Sequence, residues 1–327
     1  MSFAVNFVQP STEFLPQRTQ RVRKGRKVSM SKKQISNKAL LIGLIVSMIL
    51  WGLSWPSGKV LTSYMSAFDF AMIRYIIVVL TLLPILIFLK VPLTGQRKGV
   101  PYVLAAGILL TLYSFLFYQG LKHGLAGAGG VLVTTLNPII AYSLVILINK
   151  KIPSGNERVG LLLGLIAGCI LLKIWNRSEL FESGNLYFLA ASFTWALMSR
   201  FTSKASFFGS SLSFSLWQYL VTIIFILPFI RFDEFKTIFS ITDSIFWLNL
   251  FFSSAIVTTL ATTLYFYATT ILGAERASSF IFLVPFAAEI FSWLLLKESM
   301  LIHTIVGGIL GIVAVYIINS KRKPGLN

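Results

Sequence analysis

An acidic residue, Glu289, lies inside a long apolar stretch of the chain, one helical turn after Pro285. Charge at the centre of a bilayer is costly, so such groups usually face a cavity or a partner. The carboxyl could bind a cationic group, or it could take up a proton, because desolvation favours the neutral form. The alternative is a protonated or hydrogen-bonded carboxyl held between helices.

Two basic residues, Arg74 and Lys59, lie near the ends of apolar stretches. Arg74 is close in sequence to Asp69, so one interpretation is a structural ion pair, or a side chain that reaches to the outer interface. The other is a guanidinium at the outer mouth of a pathway that attracts a carboxylate, because it presents two parallel donors to that group. We assign Arg74 and Lys59 to this outer mouth.

Two prolines, Pro138 and Pro285, stand in the middle of apolar stretches. Each removes one backbone hydrogen bond, and such breaks are tolerated where protein or water satisfies the backbone, often beside a cavity. We predict a hinge or cavity role for both, and Asn137 adds a donor and an acceptor. The other groups predicted to line a pocket are Trp51, Tyr75, Tyr118, Trp195, Gln218, Tyr219 and Tyr265. Packing or interface anchoring is the alternative for the aromatic side chains.

Residues for metal or nucleophilic catalysis are scarce. The chain has one cysteine, Cys169, and two histidines, His123 and His303. These cannot build a metal site, and Glu289 has no adjacent carboxylate or histidine. We predict no enzymatic activity, no metal and no cofactor.

Membrane-spanning helices must position these groups. The chain is 56% hydrophobic and 12% charged, whereas soluble domains carry about 25% charged residues. A helix needs about 20 mostly apolar residues to cross the hydrocarbon. Ten stretches qualify, at 39–58, 68–89, 101–120, 126–149, 159–175, 185–201, 210–230, 245–270, 277–296 and 301–318. The prediction is an all-α integral membrane protein with ten transmembrane helices.

The sequence repeats itself at a nearly constant spacing. Trp51 and Trp195 are 144 positions apart, as are Tyr75 and Tyr219; Pro138 and Pro285 are 147 apart. Each repeat holds five stretches, and an odd number inserts the second copy upside down. Inverted repeats are typical of transporters, whose two halves expose one central site to each side in turn. By the same spacing Tyr142 matches Glu289, so this acid has no equivalent.

The distribution of Lys and Arg sets the orientation. If the N-terminus is cytoplasmic, the inside segments hold most of the bases and the outside segments most of the acids. The bias predicts both termini in the cytoplasm, in a plasma membrane of the bacterial inner-membrane type. The formal net charge of +18 does not indicate nucleic-acid binding, because little solvated surface is available to display it.

The first 38 residues differ from the rest, since they carry nine bases and one acid, Glu13. A transit peptide, a tail that binds anionic lipid and translation from Met30 are the three interpretations. We favour the start at Met30, or a disordered cytoplasmic tail. The predicted units are therefore 1–38, a first five-helix repeat at 39–175 and a second at 185–320.

Small residues recur at four-residue spacing in the predicted fifth and tenth spans. Gly160, Gly164 and Gly168 are matched by Gly307 and Gly311. Such spacing lets helix backbones approach closely. Packing within the chain is the main interpretation and dimerisation the minor one, so we expect a monomer or a homodimer.

Several segments resemble the EamA-type repeat of the drug/metabolite transporter superfamily. They are Trp51-Gly52 with Lys59 and Arg74-Tyr75, then 120–138, 272–298 and 307–315. The chain has Lys150-Lys151 where the family often has Gly-Glu, and Gln218 where Arg74 would predict a base. The resemblance implies a ten-helix bundle with a central cavity that moves amino acids or related small metabolites.

Together these features predict a transporter of small metabolites, amino acids or related compounds, which acts by alternating access. Export is the expected direction. Proton coupling depends on whether Glu289 titrates. The alternatives are an equilibrative facilitator of the same superfamily and a membrane scaffold or receptor. The expected partners are a small-molecule substrate and membrane lipid.

Overall fold

Helices make up the protein in the computed structural model, which describes residues 37–150, 152–182, 184–272 and 279–319. No β-strand occurs in these ranges. The predicted basic tail, the start at Met30 and the end of the chain lie outside them. We number the principal helices α1 (Asn37–Leu61), α2 (Ala67–Phe88), α3 (Val100–His123), α4 (Ala126–Asn149), α5 (Gly155–Leu172), α6 (Asn185–Ala205), α7 (Ser211–Ile226), α8 (244–272), α9 (Leu283–Leu296) and α10 (Ile302–Asn319).

Eight of these helices, all but α6 and α9, are long and apolar enough to cross a membrane. The α9 helix has 14 residues and is extended at its start by a 3₁₀ turn, Ser279–Phe282. In α6 the buried hydroxyls of Ser192, Ser199 and Thr202 each donate to a carbonyl one turn back, which makes a polar sequence tolerable inside a bundle. Eight candidate spans support a multi-pass membrane protein, and the number ten stays a prediction.

The two halves of the chain, α1–α5 and α6–α10, pack by matching pairs of helices. The contact of α1 with α9 is matched by the equivalent contact of α6 with α4. In the same way, the contact of α3 with α6 is matched by that of α8 with α1. The equivalent helices α2 and α7 also contact each other. Phe68 stacks on Phe229 and Tyr75 on Tyr219, at ring-centre distances of 4.6 and 5.4 Å. Residue numbers rise along one helix as they fall along the other, so α2 and α7 are antiparallel.

Glycines bring α5 and α10 into backbone contact. A Cβ on Gly160 would lie 2.5 Å from Ile318 Cγ1 and 2.9 Å from the Ala314 carbonyl oxygen. A Cβ on Gly307 would meet Leu171 at 2.7 Å and the carbonyl oxygen of Ala167 at 3.2 Å. The two contacts are equivalent under the 147-residue spacing and again antiparallel. Small residues here serve packing within the chain.

Four helical segments end at a lysine with a left-handed backbone, at Lys90, Lys150, Lys173 and Lys297. A cation at this position interacts favourably with the negative end of the helix dipole. Lys150 and Lys297 cap α4 and α9 and are 147 residues apart. The two halves of the chain therefore share the lysine that ends their equivalent helices α4 and α9.

The middle of α8 departs from α-helical geometry. The segment Phe252–Ala261 is a π-helix, and the hydroxyls of Thr258 and Thr259 donate to carbonyls five residues earlier, at 2.8 and 3.3 Å. In the equivalent part of α3, Thr111 donates to the carbonyl four residues earlier. The wider turn occurs in one half alone, and π-helical turns are frequent at functional sites.

Candidate functional site

An apolar cavity, called here the main cavity, has about 600 Å³ of empty space. Its lining residues are Trp51, Trp55, Tyr113, Val133, Thr134, Asn137, Pro138, Trp195, Ile281 and Val284. Three pairs among them are equivalent in the two repeats: Trp51 with Trp195, Thr134 with Ile281, and Asn137 with Val284. The cavity therefore lies where the two halves meet.

Aromatic contacts fix the walls of the main cavity. The Tyr113 ring packs against Trp195 with ring centres 4.6 Å apart. Trp55 packs edge-on against Phe117 at 4.7 Å, and Trp51 contacts Tyr265 at 5.2 Å. Such pairs add stability beyond the area that they bury. The walls offer flat aromatic surfaces to a ligand.

Few polar groups reach the main cavity, and Asn137 is the clearest of them. Within the described ranges its side chain makes no hydrogen bond, although the amide has donors and an acceptor. The next residue, Pro138, lies inside α4 and cannot donate to the carbonyl of Thr134. Asn137 and this carbonyl can therefore bind a polar part of a ligand.

The second predicted break differs from the first in its setting. Pro285 is the third residue of α9 rather than a residue in the middle of a long helix, and proline is tolerated in a first helical turn. It cannot donate to the carbonyl of Ile281, which lines the main cavity as Thr134 does. The hinge role of Pro138 and Pro285 stays a prediction.

Glu289 lies outside the lining of the main cavity. Its carboxylate packs against α4, where a Cβ on Gly127 would be 2.5 Å from Oε2. That Oε2 atom is buried and has no hydrogen-bond partner. The Glu298 carboxylate repels the charged form of this carboxyl, and the backbone of Leu301 forms a hydrogen bond with it. The acid predicted to bind a cation or a proton thus faces the first turn of α4.

Glu298 is a site residue that sequence reasoning missed. Its two carboxylate oxygens accept from the backbone N–H groups of Ala126 and Gly127, both at 3.0 Å. The N-cap residue Leu125 supplies no side-chain cap, so a distant acid satisfies the start of α4. An apolar N-cap before a glycine-rich helix start was the signal available in the sequence.

Lys59 lies beside Glu298 at one end of the bundle. Its Nζ lies 3.7 Å from Glu298 Oε1 and donates to the carbonyl of Gly124. Both residues line a second cavity, called here the mouth cavity, together with Val60, Thr62, Ser63, Tyr64, Met65, Lys122, Leu125 and Leu296. An ion pair therefore joins the two halves of the chain at this mouth.

A second polar contact joins the halves at the same end. The hydroxyl of Tyr64 donates to the carboxylate of Asp243. This hydrogen bond lowers the pKa of the Asp243 carboxyl and raises the pKa of Tyr64. At the opposite end, the N–H of Gln96 donates to the carbonyl of Phe208 at 2.9 Å. Both ends are bridged.

Arg74 lies inside the bundle rather than in the mouth cavity with Lys59. Its Nη2 donates to Thr258 Oγ1 at 2.7 Å and its Nη1 to the hydroxyl of Tyr118. Asp69, the acid nearest in sequence, accepts instead from Ser66 Oγ at 2.6 Å. Tyr75, beside Arg74 in sequence, bonds to Ser114 Oγ at 2.7 Å.

Gln218 and Tyr219 occupy the second-half positions equivalent to Arg74 and Tyr75. Gln218 Nε2 lies 3.4 Å from the carbonyl oxygen of Ala106 and 3.2 Å from the sulfur of Met198. Tyr219 stacks on Tyr75, as described above. The structure thus gathers Trp51, Trp195, Asn137 and Pro138 in the main cavity, and the other predicted pocket residues are not among those that line it. Trp55, Tyr113 and Thr134 line it without having been predicted.

No cluster of three or more His, Cys, Asp or Glu residues that could hold a metal occurs in the part of the chain that the structure describes. Cys169 is a free thiol. The site groups described above are aromatic surfaces, the amides of Asn137 and Gln218, the guanidinium of Arg74, the ammonium of Lys59 and the carboxylates of Glu289 and Glu298.

A solved crystal structure of a protein is similar in fold, with a TM-score of 0.53 at 16% identity. The alignment covers 87% of this chain and 98% of that one. Sequence relatives include the uncharacterised transporter YetK of Bacillus subtilis, 24% identical over 292 residues that cover 86% of this chain and 87% of the relative. A WAT1-related chloroplastic protein of Arabidopsis thaliana is 25% identical over 289 residues, covering 84% and 68%.

The model of the EamA-like transporter family matches the chain twice, at residues 38–173 and 182–320. The two matches follow the two halves of the fold, and they confirm the resemblance seen in the sequence. With eight candidate spans, they make the protein a multi-pass membrane transporter, for which a small-molecule substrate is implied. The chain belongs to the EamA-like transporter family, within the drug/metabolite transporter superfamily.

Proposed function

We propose that this transporter moves amino acids or related small metabolites out of the cell, by alternating access between two inverted five-helix repeats. The observation that carries the proposal is the lining of the main cavity by three pairs of equivalent residues. A cavity on the pseudo-symmetry axis can face either side of the membrane when the halves exchange conformations.

The antiparallel packing of equivalent helices supports the inversion. Both α2 with α7 and α5 with α10 run in opposite directions. Two copies that enter a bilayer from opposite sides must have this relation. The bridges at both ends of the bundle, Tyr64 with Asp243 and Gln96 with Phe208, are equivalent to each other, since each joins the first loop of one half to the second loop of the other.

We count α6 and α9 as spans, which gives ten helices and the repeats 39–175 and 185–320. The α6 helix packs against α3 and α4, and α9 packs against α1 and α4, so both have protein rather than lipid beside much of their surface. An even number of spans would put both termini on one side of the membrane, and the bias of Lys and Arg supports the cytoplasmic side. We propose a bacterial inner membrane as the location.

The wall chemistry supports a substrate with an apolar or aromatic body and a polar group. Trp51, Trp55 and Trp195 supply the aromatic surfaces, and Asn137 supplies a donor and an acceptor. Pockets of this kind take orientation from a few polar groups and affinity from apolar contact.

Proton coupling is the favoured energy source. Glu289 has a buried oxygen without a partner, close to the Glu298 carboxylate that caps α4. Two neighbouring carboxylates repel each other when both are charged, so uptake of a proton by Glu289 would ease that repulsion. An equilibrative facilitator, in which Glu289 keeps one state, is the alternative.

The proposal is tested with purified protein in liposomes and a panel of radiolabelled amino acids and other metabolites, with and without a proton gradient. We expect uptake of at least one solute, driven by the gradient in the wild type but not in Glu289→Gln. We expect Asn137→Leu to reduce that uptake at least tenfold, because the cavity loses its amide. The exposed variant Asn156→Leu is the matched control. If no solute moves, the scaffold interpretation is favoured.

A further inference from the structure

The guanidinium of Arg74 bonds to neutral groups in the described ranges. Tyr118 and Thr258 occupy its two terminal nitrogens. Its third nitrogen, Nε, is buried and has no partner. A guanidinium has five N–H donors in a planar fork that matches a carboxylate, so donors remain to be filled.

No acid balances the charge of Arg74 within residues 37–150, 152–182, 184–272 and 279–319. The groups that act on it electrostatically are Tyr75, Tyr118 and Tyr219. Asp69 faces Ser66 instead. A buried cation is costly unless an anion or hydrogen bonds compensate for lost water, and only part of that compensation is present.

The other half of the chain indicates that packing does not need this charge. Gln218 holds the equivalent position, and its neutral amide contacts the carbonyl oxygen of Ala106 and the sulfur of Met198. The positive charge of Arg74 is therefore an addition to the shared framework of the two repeats, and it requires a separate explanation.

The location of Arg74, close to the main cavity, offers an explanation for its charge. Tyr113 lines the main cavity and stacks on Phe117 with ring centres 5.5 Å apart. Phe117 in turn packs edge-on against Tyr118 at 5.0 Å, the residue that accepts a hydrogen bond from Arg74. Arg74 also keeps part of its surface accessible. It thus lies behind the aromatic wall of Tyr113, held by one residue of the first half, Tyr118, and one of the second, Thr258 in the π-helix.

We propose that Arg74 binds the carboxylate of an organic anion whose apolar body occupies the main cavity. The carboxylate replaces the neutral Tyr118 and Thr258 hydroxyls as the partner of the guanidinium. Because those two residues belong to different halves, ligand binding also releases a contact that ties the halves together. The inference rests on the proposed transport function, and it names the substrate class.

Binding is tested with three compounds of matched shape on the purified protein: 3-phenylpropionate, the neutral 3-phenylpropionamide and the cation phenethylamine. We expect the acid to bind the wild type at least about tenfold more tightly than the amide, because a charged hydrogen bond is worth more than a neutral one. Arg74→Gln should abolish the difference, and Arg74→Lys should keep part of it. Arg158→Gln, at an exposed arginine, is the control and should change nothing.

Thermal unfolding without ligand separates this role from a structural one. Arg74→Gln copies the residue of the other half, so we expect its midpoint to equal or exceed that of the wild type. A midpoint several degrees lower, with Arg158→Gln unchanged, would make Arg74 a structural residue and overturn the proposal. Equal binding of acid and amide to the wild type, or no binding of the acid, would also overturn it.

Liposome uptake of the same compounds distinguishes failure of this proposal from failure of transport. Equal uptake of acid and amide, unaffected by Arg74→Gln, would overturn the carboxylate site and leave the transport function standing. Arg74-dependent binding of the acid without uptake of any compound would support the carboxylate site and overturn the transport function.

Discussion

Substitution of Glu298 by Gln should open the mouth cavity end of the protein. Glu298 accepts two backbone hydrogen bonds at 3.0 Å from the start of α4 and pairs with Lys59. Because it belongs to the second half and α4 to the first, these contacts favour the conformation in which this end is closed. Gln keeps one acceptor oxygen and loses the charge.

The size of the effect follows from the contacts that are lost. One charge-assisted hydrogen bond contributes about 1.5–3 kcal/mol, and a charge at a helix N-terminus about 0.3–1 kcal/mol. The pair with Lys59 adds at most about 1 kcal/mol, because Lys59 is partly exposed to solvent. The sum of about 2–5 kcal/mol corresponds to a roughly 30- to 5,000-fold shift toward the open conformation.

The assay is labelling of a cysteine in the main cavity by a membrane-impermeant maleimide. Cys169 is first replaced by Ala, and Val133, a buried lining residue, is replaced by Cys. We expect Glu298→Gln to raise the labelling rate at least about tenfold, a threshold below the smallest shift worked out above. Glu234→Gln, which removes an exposed acid paired with Arg231, is the matched control. An unchanged or lower rate in Glu298→Gln would refute the reasoning.

Two further predictions concern stability. Gly160→Ala should destabilise the protein by about 1–3 kcal/mol through overpacking, seen as a lower thermal midpoint, whereas Gly155→Ala should not, because nothing lies within 4 Å of its Cβ position; equal midpoints would contradict the contact. The pKa of Asp243 is lowered from its ordinary 3.8 by Tyr64, so this pair stabilises the fold above that pH and the contribution is lost as pH falls through the lowered pKa. Tyr64→Phe should therefore lower the thermal midpoint at neutral pH and match the wild type in strong acid; a constant difference across pH would contradict it.

Among the aromatic residues that line the cavity, Trp51 and Trp195 were predicted from the sequence, whereas Trp55 and Tyr113 were not. Trp51 and Trp195 stand out because each repeats the other. Trp55 and Tyr113 have no such twin, since the equivalent positions hold Ser199 and Leu260. A comparison of the two halves cannot find a residue that occurs in one alone, and a transport pathway with direction needs such residues.

The surroundings of Arg74 could be predicted in part. Asp69 and Arg74 are five residues apart, and a helix turns by about 100° per residue, so the two side chains lie on opposite sides of α2. An ion pair within the helix was therefore disfavoured from the start. The partner Thr258 could not be predicted, because the π-helical turn that presents it depends on packing between distant segments.

The interlock of α5 and α10 has a consequence for motion. Its two glycine contacts are copies of each other, so exchanging the conformations of the halves leaves the interface unaltered. These helices can remain still while the rest of the bundle rocks about them. A covalent tie between Gly160 and Ala314 would then spare turnover, whereas the same tie between Lys59 and Glu298 would arrest it.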